Sequence, residues 1–143
     1  MSIKIEDLDP QMQVKVRTFL SLIPIPYVVT STLRTIAEQQ ALHAQGRKSL
    51  VEVNALRTIA GMRLIGDKEN GYTVTNCDGI FKRSNHQSGR AIDVVPAGIG
   101  GRAIWPPASD VRWEMLGKAG EEAGLSWGGR WVIPDLPHSE MKG

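Results

Sequence analysis

Ser84-Asn85-His86-Gln87-Ser88-Gly89-Arg90-Ala91-Ile92-Asp93-Val94-Val95 is the stretch on which both the fold and the chemistry of this 143-residue chain depend. It starts in a polar, turn-rich segment and ends in an apolar run over residues 91–95, which predicts a buried strand. Gly89 allows the chain to turn between His86 and Asp93, because glycine tolerates backbone angles that other residues avoid. Asp93 would then lie on the strand, which gives its carboxylate a fixed direction.

The sequence before this stretch predicts three helices and one short strand. Each helix begins with a residue whose side chain can accept a hydrogen bond from the first free backbone N–H groups. The helices are predicted from Asp9-Pro10 to the prolines at 24 and 26, from the capping box Thr35 to Glu38 as far as Gly46, and from Ser49 to about Ala60. A strand is predicted over residues 27–30.

The sequence around and after the stretch predicts strands, a loop and one further helix. We expect a strand over Tyr72 to Thr75, a long loop over residues 96–107, a helix from Ser109 or Asp110 to Gly124, and a final hairpin within residues 125–140. Since helices and strands are not in regular alternation, this order favours an α+β fold with a small antiparallel sheet and helices packed on one side. One domain over residues 1–143 suits this length.

Composition excludes several classes of protein. The chain has 41% hydrophobic and 22% charged residues and a net charge of +2, and its basic residues do not form the dense stripe typical of nucleic-acid binders. The single Cys77 excludes an internal disulfide framework and a cysteine zinc cluster.

No segment of the sequence indicates export or membrane insertion. The first ten residues carry three acidic side chains, unlike a secretory signal, and the longest apolar stretch, residues 20–29, is about half the roughly 20 residues that a membrane helix needs. We therefore expect synthesis in the cytoplasm without a signal peptide and no insertion into a membrane.

The histidines suggest a metal site. Two of the three, His86 and His138, lie in polar segments that also contain Asp93 and Asp135. A catalytic zinc ion takes three protein ligands from histidine and carboxylate side chains and leaves a fourth position for water. His86, Asp93 and His138 could supply that set, although two histidines near acidic residues also occur by chance in soluble proteins.

Three motifs carry a resemblance to a known family. They are Ser-x-His-x-x-Gly-x-Ala-x-Asp from Ser84 to Asp93, Gly-Leu-x-Trp-Gly-Gly from Gly124 to Gly129, and Asp-x-Pro-His from Asp135 to His138, supported upstream by residues 30–34 and 38–47. Together they resemble the VanY-like zinc peptidases, which include D-alanyl-D-alanine carboxypeptidases and the L-alanyl-D-glutamate endopeptidases used as phage endolysins. The resemblance implies a DD-peptidase/Hedgehog-like zinc fold and one bound Zn²⁺.

The resemblance also implies a role for each site residue. His86, Asp93 and His138 would bind zinc, Asp135 would be the general base, and Arg34 would face the oxygen of the scissile carbonyl. Ser84 would either bind substrate or brace the metal ligands. Arg34 could instead be a surface residue paired with Glu38.

The implied function is hydrolysis of an amide in bacterial peptidoglycan stem peptides. The Asp-x-Pro-His form resembles the endopeptidase and secreted zinc DD-peptidase branches of the family. Since no signal peptide is recognisable, we expect an L-alanyl-D-glutamate endopeptidase of a phage or prophage, acting as a monomer on the cell wall after release by lysis. A D-alanyl-D-alanine carboxypeptidase and a non-catalytic zinc-containing wall-binding module are the alternatives. Glu140 either orients His138 or ends a strand, and Trp127 or Trp131 could line the cleft.

Overall fold

Four helices and four strands make up the regular structure of the computed structural model, which describes residues 1–142. The helices are α1 (Pro10–Leu22), α2 (Ile36–Ala44), α3 (Leu50–Ile59) and α4 (Val111–Glu122), and the strands are β1 (Tyr27–Ser31), β2 (Ala91–Pro96), β3 (Leu125–Trp127) and β4 (His138–Met141). Short 3-10 helices cover Ile5–Asp7, Glu69–Gly71, Asn85–Ser88, Ile99–Gly101 and Gly128–Arg130. Within residues 1–142, no helix has the combined length and apolar character needed to cross a membrane.

Each α-helix begins at the capping residue that the sequence predicts. Asp9, Ser49 and Asp110 each accept a hydrogen bond from a backbone N–H in the first turn of their helices. Thr35 and Glu38 form the full capping box, in which each side chain accepts from the backbone N–H of the other residue. The predicted helices are confirmed because these caps supply acceptors for N–H groups that a helix cannot bond internally.

The strands form one antiparallel sheet in the order β1-β2-β4-β3. The predicted α+β class is therefore confirmed. β2 and β4 are the inner strands, and their register places Asp93 directly opposite His138. β3 and β4 are the two sides of the hairpin predicted near the C-terminus. The sheet thus brings together residues that are 45 positions apart in sequence.

The chain divides into two compact units, each with its own apolar core. The first unit comprises Met1 and residues 34–87, and its core consists of Ala44, Val53 and Ile65. The second unit comprises residues 2–33 and the chain from Ser88 onward, and it contains the sheet, α1 and α4. Its core includes Met12, Val16, Phe19, Ile92, Val94, Val95, Trp113, Leu116, Leu125 and Trp127. The prediction of a single domain stays a prediction.

The strand predicted over Tyr72 to Thr75 is wrong. None of these four residues belongs to a strand in the described chain, and Tyr72 and Val74 remain 57% and 48% exposed. Side chains of the same unit hold the segment, since Arg47 donates to the Thr75 carbonyl oxygen at 2.9 Å. Alternating apolar residues form a strand only where a neighbouring strand can pair with their backbone.

Candidate metal centre

Three potential metal ligands converge in the structure. His86 lies in the 3-10 helix Asn85–Ser88, Asp93 on β2 and His138 at the start of β4. One ligand atom from each residue lies within 4.8 Å of the others. Both histidines are buried, with relative exposures of 1% for His86 and 7% for His138. The structure therefore brings together the three residues that the sequence predicted as zinc ligands.

The pairing of β2 with β4 fixes two of these ligands. Asp93 and His138 are opposite each other in the antiparallel register, and His138 Nδ1 lies 3.3 Å from Asp93 Oδ1. Cross-strand partners hold side chains close to each other without long flexible connections. The sheet thus aims these two donors at one point before any ion binds.

The turn at Gly89 connects the first ligand to the second. Gly89 has a φ of +71°, in the left-handed region that favours glycine. Its carbonyl oxygen accepts a hydrogen bond from Asp9 N at 3.1 Å, and a Cβ at this position would lie 2.7 Å from that nitrogen. The predicted use of this glycine to turn the chain between His86 and Asp93 is consistent with this geometry.

Ser84 and Arg34 both bond to the backbone around His86. Ser84 Oγ accepts from His86 N at 3.2 Å, and Arg34 N donates to the His86 carbonyl oxygen at 3.0 Å. Gln87 adds a third restraint, because its Oε1 accepts from Ser84 N at 2.8 Å. The hydrogen bond would allow Ser84 to brace His86, and the role predicted for Ser84 stays a prediction.

The donor set fits zinc. Two imidazoles and one carboxylate are typical of a catalytic zinc site, which keeps one open position. Donors about 2.1 Å from a tetrahedral ion lie roughly 3.4 Å apart, close to the 3.3 Å between His138 Nδ1 and Asp93 Oδ1. The structure contains no thiolate at this cluster, and a set of two nitrogens and one oxygen suits Zn²⁺ better than Mg²⁺ or Ca²⁺.

His138 has a strongly shifted acid–base equilibrium in the metal-free protein. Burial lowers the pKa of its imidazole, but hydrogen bonds to Asp93 and Glu140 and the charges of Asp93 and Asp135 together raise it to about 9. Its Nε2 lies 2.9 Å from Glu140 Oε1. Three carboxylates thus make this position strongly attractive to positive charge, as a cation site requires.

Asp135 lies near His138, one of the three candidate ligands, and remains accessible to solvent. Its side chain is 48% exposed, and its Oδ2 is 3.9 Å from His138 Nδ1. The backbone around it is held firmly: Asp135 N donates to the Gly128 carbonyl oxygen at 2.9 Å, and His138 N donates to the Asp135 carbonyl oxygen at 3.2 Å. An accessible carboxylate on a fixed backbone is suited to exchange protons with water at this site.

Trp127 and Trp131 contact the segment from Leu136 to His138, and they have different roles. Trp127 is buried, and its Nε1 donates to the Leu136 carbonyl oxygen at 2.7 Å. Its indole packs so closely on Gly117 of α4 that a Cβ at Gly117 would overlap the ring. Trp131 is partly exposed, and its ring centroid is 5.1 Å from that of His138, at an interplanar angle of 51°. Trp127 thus holds the backbone of Leu136 in place, whereas the Trp131 ring lies beside the His138 ring.

Gln39 is a partner of Arg34 that sequence reasoning missed. Arg34 Nη1 donates to Gln39 Oε1 at 3.2 Å. Gln39 is fully buried, and its Nε2 donates to Thr75 Oγ1 and to the Cys77 carbonyl oxygen. The signal available in the sequence was a polar residue at an inward-facing position of α2. Glu38, the pairing partner weighed for Arg34, accepts from Thr35 N in the capping box.

Comparisons with known proteins agree with this geometry. Residues 79–141 match the family described as D-alanyl-D-alanine carboxypeptidase, and this segment contains all three candidate ligands and Asp135.

Two solved structures share the fold. One is the L-Ala D-Glu endopeptidase ChiX of Serratia marcescens, with a TM-score of 0.59, 21% sequence identity, and coverage of 96% of this chain and 83% of that chain. The other is a variant of the vancomycin resistance D,D-pentapeptidase VanY from a VanB-type resistance cassette, in complex with Zn(II). It has a TM-score of 0.58 and 14% identity, and the likeness covers 95% of this chain and 73% of that chain. The resemblance predicted from the motifs is thus confirmed.

Proposed function

We propose that the chain is a VanY-like zinc metallopeptidase and that it hydrolyses peptidoglycan stem peptides at the bond between L-alanine and D-glutamate. The observation that carries this proposal is the convergence of His86, Asp93 and His138 within 4.8 Å, with the exposed Asp135 carboxylate 3.9 Å from His138. A structural zinc site has four protein ligands and no use for an accessible carboxylate beside it. Three ligands and a neighbouring base are the parts that amide hydrolysis needs.

Each site residue has a separate task in this proposal. His86, Asp93 and His138 would hold the zinc ion, which when bound would supply a Lewis acid that lowers the pKa of water towards about 7. Asp135 takes a proton from the attacking water and delivers it to the leaving amine. Arg34 stabilises the negative charge that develops on the carbonyl oxygen, since its guanidinium stays protonated. Ser84 supports the turn that carries His86.

Arg34 and Asp135 are positioned by different parts of the fold. The guanidinium of Arg34 is oriented by Gln39, which two further hydrogen bonds hold in the interior. The Asp135 backbone is oriented by Gly128, whose Cβ position is occupied by the Asp135 carbonyl oxygen. Preorganised groups of this kind stabilise a transition state without first having to move.

We further propose that the protein acts on the cell wall as a phage or prophage endolysin, as a monomer with one catalytic domain. The Asp-x-Pro-His form from Asp135 to His138 supports an endopeptidase, as does the likeness of the fold to an L-Ala D-Glu endopeptidase. Its substrate lies outside the cytoplasmic membrane, so release at lysis would bring the two together.

A D-alanyl-D-alanine carboxypeptidase is the second candidate, and the description of the matching family favours it. The two activities share the zinc chemistry and differ in what the cleft must accept. A carboxypeptidase binds the free carboxylate at the end of a stem peptide, whereas an endopeptidase must leave room for chain on both sides of the cut bond.

The cut bond can be identified by mass spectrometry of the products when the zinc-loaded protein digests purified peptidoglycan. Stem peptides with D-glutamate newly at the N-terminus are the expected product. Loss of terminal D-alanine alone would establish the carboxypeptidase and remove the main support for the endolysin role. Bound zinc without any new terminus would favour the non-catalytic wall-binding module.

The role of Asp135 is tested by the Asp135→Ala variant. We expect turnover to fall by at least about 100-fold, the usual size of a general-base contribution, while the zinc content stays at that of the wild type. Asp67→Ala is the matched control, since Asp67 is an exposed aspartate outside the site. Turnover of Asp135→Ala equal to that of Asp67→Ala would refute the mechanism, as would a His86→Ala variant that keeps both its metal and its activity.

A further inference from the structure

We propose that Glu140 is a positioning residue for the metal centre, which holds the His138 ring so that Nδ1 faces Asp93. This inference rests on the metal centre of the proposed function and adds to it a residue that does not itself bind the ion. The sequence left two alternatives for Glu140, an orienting role and a strand end without function. The geometry around His138 distinguishes between them.

The two nitrogens of the His138 ring face two different carboxylates. Nε2 lies 2.9 Å from Glu140 Oε1, a good hydrogen-bond distance, whereas Nδ1 lies 3.3 Å from Asp93 Oδ1. In a neutral imidazole one nitrogen carries the proton and the other keeps a free lone pair. When Nε2–H donates to Glu140, the lone pair belongs to Nδ1, on the side where Asp93 lies.

The geometry of β4 favours the contact between His138 and Glu140. His138 and Glu140 are two residues apart on one strand, so their side chains point to the same face. β4 is an inner strand, and Glu140 has cross-strand partners on both sides, Ala91 on β2 and Ser126 on β3. The carboxylate of Glu140 therefore starts from a backbone that two neighbouring strands hold in place.

Burial distinguishes this contact from an ordinary surface ion pair. The His138 and Glu140 side chains are only 8% and 18% exposed. A hydrogen bond with little access to solvent is stronger than the same bond in water, and it restricts the ring to one orientation. A carboxylate bonded to the far nitrogen of a metal-binding histidine fixes the ring and increases the basicity of the ligating nitrogen, and loss of such a partner usually weakens metal binding by about 10- to 100-fold.

The test compares the zinc affinity of three variants, measured by competition with a chelator of known affinity. Glu140→Ala should bind zinc about 10- to 100-fold more weakly than the wild type. Glu140→Gln keeps an oxygen that can accept from Nε2–H, so we expect it to recover most of that loss. Glu122→Ala, which removes an exposed glutamate of α4, should bind as the wild type does. Circular dichroism checks that each variant is folded.

A zinc affinity of folded Glu140→Ala within twofold of the wild type would overturn the proposal, as would a loss in Glu140→Gln as large as in Glu140→Ala. Nitrogen-15 NMR of the zinc-loaded wild type provides a measurement that depends on no variant. His138 should show a protonated Nε2 and a metal-bound Nδ1, and the reverse assignment would also overturn the proposal. Both measurements, zinc affinity and the NMR assignment, are independent of hydrolysis. If both give the expected result but the zinc-loaded wild type cuts no peptidoglycan, the proposed function is wrong and the role of Glu140 still holds.

Discussion

Gly89 shows how one residue decides the geometry of the site. Its φ of +71° reverses the chain between the 3-10 helix with His86 and the strand with Asp93. There is also no space for a side chain, because a Cβ at this position would lie only 2.7 Å from the backbone nitrogen of Asp9. Both the backbone angle and the lack of space require glycine here.

We predict that Gly89→Ala destabilises the protein and weakens zinc binding. An alanine in the left-handed region costs about 1–2 kcal/mol, and the clash with Asp9 adds to this cost and displaces the turn between two ligands. Gly61→Ala is the matched control, since Gly61 has a φ of +72° but nothing lies within 4 Å of its Cβ position.

Urea unfolding and zinc competition measure the two effects. Gly61→Ala should show only the backbone cost and a zinc affinity equal to that of the wild type. Equal losses of stability in the two variants, with unchanged zinc binding in both, would show that the contact with Asp9 is unimportant.

At the scale of elements, α4 supports the segment that carries Asp135. Gly117 leaves space on the helix for the Trp127 indole, which in turn bonds to the Leu136 carbonyl oxygen. Arg130 lies 4.9 Å over the same indole and pairs with Glu114 and Glu121 of α4. The motif from Gly124 to Gly129 therefore has a structural role, although no residue of it is among the candidate ligands.

The N-terminus of α4 gives a prediction about pH. Hydrogen bonds from the Arg112 side chain and backbone lower the pKa of Asp110 from its ordinary value of 3.8 to about 2. Because the folded-state pKa is depressed, the pair stabilises the fold above pH 3.8, and this contribution is lost as the pH falls through about 2. The contribution is small, since the pair lies at the surface.

Arg112→Gln should therefore return the pKa of Asp110 towards 3.8. Carbon-13 NMR titration of the Asp110 carboxyl group in the folded protein measures this value directly. Arg102→Gln is the control, because Arg102 is an exposed arginine outside this pair. A midpoint that stays near 2 in Arg112→Gln would show that the guanidinium is not the cause.

At the scale of the whole molecule, metal binding and folding stability should be linked. Three carboxylates beside His138 and two buried histidines form a cluster whose charges a cation would balance. An ion that binds the folded state alone stabilises it in proportion to the logarithm of its concentration over Kd.

We predict that a chelator lowers the melting temperature and that added zinc restores it. Free zinc at 1,000 times Kd corresponds to about 4 kcal/mol of stabilisation. His86→Ala should melt at one temperature with or without zinc, because one of its three ligands is missing. Identical melting curves for the wild type with chelator and with zinc would contradict a specific site.

Local signals in the sequence predicted the helices, the buried strand and the ligands. The caps at Asp9, Thr35, Ser49 and Asp110 act within one turn of the chain, so their effect does not depend on distant residues. The candidate ligands were predicted because chemistry restricts which residue types can bind zinc, and because the surrounding motifs resemble a zinc peptidase family. The strand predicted at Tyr72 to Thr75 failed for the opposite reason, since a strand depends on a partner elsewhere in the chain.

The α+β class and the residues at which the helices begin were therefore predicted from the sequence and are confirmed. The set His86, Asp93 and His138 with Asp135 beside it was also predicted from the sequence and stays a prediction. Three contacts could not be predicted from the sequence: His138 Nδ1 faces Asp93, Glu140 contacts the other nitrogen of that ring, and Gln39 holds Arg34. These contacts depend on strand register and on side-chain packing between residues far apart in sequence. Composition and motif spacing do not predict the distances between these side chains, because the strand register is set only when the whole chain folds.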